Sequence, residues 1–74
     1  MGNPDNPLTP EEENVWEAVH AAVHKGKCTE DGWVELSVVE LTVPHRITHL
    51  TTGSLAEKGA LEVSGSGEKV RYRL

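Results

Sequence analysis

Seventy-four residues with a net charge of −5 make one small domain, with no room for a second. One cysteine, Cys28, excludes an internal disulfide and any four-cysteine zinc module, and no apolar run is long enough for a signal peptide or a membrane span. The composition is that of a reduced, soluble protein of the cytoplasm, and Asn6 stands where a myristoylation signal beginning at Gly2 requires Ser or Thr.

The acidic total argues against a simple nucleic-acid binder, yet the charge is unevenly distributed. Residues 1–43 set nine acids against Lys25 and Lys27, a balance of −7, whereas residues 44–74 set five cations against Glu57, Glu62 and Glu68, a balance of +2. That asymmetry predicts a basic face on an acidic body.

The opening "MGNPDNPL" has no hydrophobic period and is expected to be a flexible leader over residues 1–8, with the domain spanning 9–74. The following "TPEE" predicts a helix start: Thr9 caps, Pro10 fits the first helical position, and Glu12 completes a capping box. Val15, Trp16, Val19, Ala22 and Val23 recur at helical spacing and form one apolar stripe. The helix should stop near Gly26, with Lys25 and Lys27 at its negative end.

"DGWVEL" then places a turn before a short strand at residues 33–36. Ser37 and Glu40 make a second capping box opening a short helix that runs through 41–43, and Pro44 ends it. From Pro44 a third helix is expected to carry Ile47, Leu50 and Leu55 inward. A break at Gly53, with "SLAE" capping a new segment, is the alternative.

The end of the chain alternates. Leu61 and Val63 on one strand and Val70, Tyr72 and Leu74 on the other face one way, with Glu62, Arg71 and Arg73 facing the other across a glycine-rich tip. Either Arg71 or Arg73 falls opposite Glu62, depending on the turn. Trp16 and Trp33 are expected to be large core anchors.

A short strand at 33–36, "SVVELTVPHRITHL", "LAEKGALEV" and "SGSGEKVRYRL" together give the order helix, strand, helix, turn, helix, strand, glycine-rich loop, strand. This order resembles the winged helix-turn-helix family across nearly the whole chain, roughly residues 9–74. Pro44 in the turn, Gly53 in the third helix and the short second helix depart from the family pattern.

The resemblance implies an α+β domain of three helices with a small antiparallel sheet ending in a wing hairpin, and a DNA-binding role in transcription regulation. It places helix three in the major groove, with His45, Arg46, Thr48, His49 and Thr52 toward base edges, and sets Lys69, Arg71 and Arg73 of the wing on the phosphate backbone. Double-stranded DNA is the expected partner. A homodimer would offset the small contact area of one domain, although no extra dimerisation helix is visible. The rival expectation is a protein-interaction adaptor that uses its acidic first helix through Glu13 and Glu17.

His20 and His24, and likewise His45 and His49, stand four apart, a spacing that can chelate a metal on a helix. Neither pair has a defined third and fourth ligand, so no metal site and no cofactor is expected. Cys28 has no supporting cluster for nucleophilic chemistry, and no catalytic activity is expected.

Overall fold

The structure, a computed structural model, describes residues 8–74. Residues 1–7 of the expected leader lie outside the described residues. Leu8, counted with that leader, instead packs half-buried against the core.

Helix α1, Pro10–His24, starts as its sequence dictates. The Thr9 hydroxyl accepts from the Glu12 backbone N–H while the Glu12 carboxylate accepts from the Thr9 N–H at 2.8 Å, so two of the otherwise unpaired donors of the first turn are satisfied reciprocally. At the far end Gly26 takes φ +76°, and the Lys27 N–H reaches back to the Ala22 carbonyl at 2.7 Å. Val15, Val19 and Ala22 form the buried stripe, with Trp16 and Val23 at its edge.

Strand β1 is only Val34–Glu35, because Leu36 already begins helix α2, Leu36–Val39. The second capping box does not form. Glu35 is the cap residue and makes no side-chain cap bond, Ser37 lies inside the helix, and the Glu40 carboxylate turns toward the third helix. Leu36, Val39 and Val43 go into the core instead.

Helix α3, His45–Glu57, is continuous through Gly53. Its buried residues are Thr48, Thr51 and Leu55, spaced three and four apart, and Leu50, expected inward, is 68% exposed. Leu55 is fully buried and Ile47 packs against the core, as expected, and two threonines complete the inward face. Each hydroxyl donates back to a carbonyl of its own helix, Thr51 to Ile47 at 2.7 Å and Thr48 to His45 at 2.8 Å, leaving the methyl groups to pack.

Strands β2, Glu62–Ser64, and β3, Arg71–Arg73, form the hairpin, and a single 3-10 turn, Gly67–Lys69, lies between them. β3 occupies the centre of an antiparallel sheet ordered β1-β3-β2. The register pairs Glu62 with Arg73, Val63 with Tyr72 and Ser64 with Arg71, which resolves the open alternative in favour of Arg73 opposite Glu62. Their side chains meet at 2.6 Å. Tyr72 is the largest fully buried side chain among the described residues. The tryptophans do not hold the core: Trp16 packs only against its edge, and Trp33 lies half-buried on the sheet's outer face. Leu74, past the end of β3, is exposed.

A three-helix, three-strand α+β arrangement follows, closed by one buried ion pair. The Lys58 ammonium, just beyond α3, meets the Glu12 carboxylate in the first turn of α1. Burial alone would raise the Glu12 pKa, but the bonds from Lys58, Ser54 and Thr9 outweigh it and bring it from the ordinary 4.5 down to about 2.

A folded-state pKa below the unfolded one means the Glu12 contribution is complete above pH 4.5 and is withdrawn as pH falls toward 2, so denaturant midpoints should decline across that window. Lys58→Met at neutral pH should lose about 3 kcal/mol in the same measurement, because it strands a buried carboxylate. The glycines separate as sharply: Gly53→Ala, with open space around a new Cβ in mid-helix, should stabilise by about 1 kcal/mol. Gly65→Ala should destabilise by roughly 2 kcal/mol, since Gly65 sits at φ +82° and its Cβ would lie 2.3 Å from the Lys69 carbonyl oxygen.

Candidate nucleic-acid interface

The exposed side of α3 and the glycine-rich hairpin tip enclose a cleft of about 290 Å³. His45, Thr48, His49, Thr52 and Gly53 line the helix side, and Gly65, Ser66 and Gly67 line the tip. The floor is polar but satisfied: the Thr52 and Tyr72 hydroxyls lie 2.7 Å apart, and the Thr52 hydroxyl also reaches the Thr48 carbonyl. That bond joins α3 to the centre of the sheet and fixes the height of the helix above the hairpin. Burial raises the Tyr72 pKa and the negative charge of Glu40 adds to it, against the opposing bond from Thr52.

Local structure places the helix side. Pro44, extended at φ −57° and ψ 143°, precedes the first helical residue, and its carbonyl accepts from the Ile47 and Thr48 N–H groups. Glu40, at the end of α2, holds the same turn from below. Its carboxylate oxygen, 2.8 Å from the Thr48 hydroxyl, shares that hydroxyl's one proton with the His45 carbonyl, and it contacts His45 Nδ1 at 2.5 Å. The Thr48 bond chiefly holds the Glu40 pKa below its ordinary value, partial burial opposes it, and His45 adds to the lowering.

The structure therefore divides the residues expected to read DNA. His45, Arg46 and His49 are exposed on the first turns of α3, with the two imidazoles stacked at a centroid distance of 6.2 Å. Thr52 is half-buried at the cleft floor. Thr48 is 1% exposed and bound to Glu40, and it lines the cleft beneath the exposed residues. Lys69 is exposed in the turn at the hairpin tip.

Arg71 and Arg73 lie elsewhere. Tyr72 between them turns toward α3, and alternation along a strand sends its neighbours to the opposite face of the sheet. There both guanidinium groups lie over the Trp33 ring, Arg71 at 5.2 Å and Arg73 at 4.6 Å from its centre. Arg73 is further committed to Glu62.

Sequence reasoning missed Glu40, Tyr72 and Trp33 as organisers of this region. Glu40 carried a competing local reading as a capping residue. The Tyr72 bond spans twenty residues of chain and left no local signal. Among the described residues no group of three or more His, Cys, Asp or Glu side chains is placed to hold a metal ion, and His20 stacks on Trp16 at 5.1 Å. Among them, too, no helix is long and apolar enough to cross a membrane. Comparison with protein families, with curated proteins and with solved structures finds no match.

Thr48→Val should lower stability and let the Glu40 carboxyl rise toward its ordinary value, read by NMR titration of the Glu40 side chain, because the variant deletes the foremost donor. Unchanged stability and an unmoved Glu40 titration would return Thr48 to the solvent face.

Proposed function

We propose that the protein is a winged helix-turn-helix DNA-binding domain acting in transcription regulation, with the exposed face of α3 in the major groove and the hairpin tip on the adjacent backbone. The observation that carries this reading is the uninterrupted α3, whose first turns present His45, Arg46 and His49 beside a hairpin tip of glycine and serine. A continuous helix can enter a groove as one rod, and residues 65–67 of the tip, without bulky side chains, can approach a phosphate backbone closely.

The roles differ from those expected. Arg46 supplies a guanidinium suited to guanine, and His49 and His45 supply ring nitrogens for bases or phosphates. Lys69 holds phosphate from the tip. Thr48 works behind them, fixing Glu40 and hence His45. Arg71 stands nearer the tip than Arg73 along β3 and is the more available of the two for a phosphate, since Arg73 is paired with Glu62. The acids of α1 fit this orientation, because its buried stripe packs toward α3 and its exposed Glu13 and Glu17 stand on the opposite side of the helix. Their charge would repel a duplex from the wrong face.

The number of cations is small, so affinity for any one duplex should be weak and strongly dependent on salt. A second reading, a protein-binding adaptor using Glu13 and Glu17, is favoured by the exposure of both carboxylates on one helix.

An amide-resolved NMR titration with a mixed-sequence duplex at low and physiological salt tests the proposal. Shifts should concentrate at residues 45–53 and 65–71 and weaken with salt. Arg46→Ala should cost about 1–3 kcal/mol against the preferred site and relax base preference, whereas Lys69→Ala should weaken all sequences alike and reduce the salt slope by about 1. An unmoved spectrum at low salt would overturn the DNA reading and leave the adaptor, to be sought with Glu13 and Glu17 reversed to Lys as the control.

A further inference from the structure

Leu41 is 73% exposed, the most exposed large apolar side chain among the described residues. It stands beside a shallow groove of about 90 Å³ between α1 and the end of α2, where Ala18, Ala21 and Val38 supply the apolar surface and Lys25 closes one end. Nothing in the rest of the described chain covers this leucine, and an exposed apolar side chain at the lip of an apolar groove marks an interaction surface.

The charges along α1 say what fits it. Glu11, Asn14, Ala18, Ala21 and Lys25 follow one another at spacings of three and four, so they share one face of the helix. Glu11 lies seven residues before Ala18 and Lys25 seven after it, with Glu11, Asn14, Ala21 and Lys25 all exposed. A second α1 laid antiparallel across this face, with the two-fold axis at Ala18, sets Glu11 of each copy opposite Lys25 of the other. The alanines let the two helices approach closely, and each Leu41 flanks the partner's helix. An unrelated partner would need this charge pattern in reverse; another copy of the chain already carries it, which is the self-complementarity an isologous interface requires.

We propose that this face of α1, with Leu41, is a homodimer interface in which two copies pair antiparallel about Ala18. It involves none of the exposed residues of α3 and stands or falls independently of DNA binding.

Sedimentation equilibrium of the full chain at low salt tests it. The protein should pass from 8.1 kDa to twice that mass as concentration rises toward the millimolar range. Glu11→Lys alone and Lys25→Glu alone should each weaken the dimer by about tenfold or more, because each sets like charges opposite one another twice in the symmetric pair. Mixing the two single variants should restore it, since both contacts in the mixed pair become Lys with Glu. Leu41→Asp should also weaken association, with circular dichroism showing every variant folded. A wild-type chain that stays monomeric near 1 mM, a dimer indifferent to both reversals, or two weakened variants that fail to pair when mixed would each overturn the inference.

Discussion

The buried contact between Glu12 and Lys58 is the constraint on which the arrangement of this domain rests. A carboxylate taken out of water must be met by donors, and Glu12 is met three ways: by the Thr9 backbone, by Ser54 and by the Lys58 ammonium. The first is local and starts α1. The others come from the last turn and the end of α3, forty-two and forty-six residues away, so the same oxygen atoms that begin one helix decide where another must finish. With both the beginning of α1 and the end of α3 fixed, the apolar stripe of α1 meets the threonine stripe of α3 along its length.

Beside Leu55, α3 buries two threonines. The helix carbonyls satisfy the threonine hydroxyls, so these short branched side chains can be buried. Leu50 is turned to solvent. The polar atoms of the stripe also reach outward to their neighbours: Thr48 holds Glu40, Glu40 holds His45, and Thr52 holds Tyr72. The exposed face of α3 is thereby positioned from beneath, by side chains of which Thr48, Thr52 and Tyr72 also line the cleft.

The sheet sorts the basic residues in a way that composition does not reveal. Because Tyr72 must face the core, Arg71 and Arg73 must face away from it, and there the Trp33 ring gives both guanidinium groups an aromatic surface. The basic second half of the chain thus divides into a helix-and-tip group, Arg46 and Lys69 with the two histidines, and a sheet group around Trp33. On the acidic side the same economy holds: Glu12 serves structure, while Glu11, Glu13 and Glu17 stay in water.

By itself the sequence determined what depends on near neighbours. The Thr9 and Glu12 capping box, the Gly26 stop, the stripe of α1, the order of elements and the alternating hairpin were legible because each is set by residues within a turn or two of one another. Tertiary structure alone decided the rest. Ser37 and Glu40 had the letters of a capping box, but Leu36 was drawn into the core one step early and Glu40 found Thr48. Gly53 offered a break as the alternative to one helix, and the helix runs through it. Leu50 looked like core and the threonines did not, because apolar letters, not methyl groups with satisfied hydroxyls, define a stripe in one dimension. Where a side chain points is fixed by what lies across from it, and the partners here, Lys58 for Glu12, Tyr72 for Thr52 and Trp33 for the two arginines, are far away in sequence and adjacent only once the chain has folded.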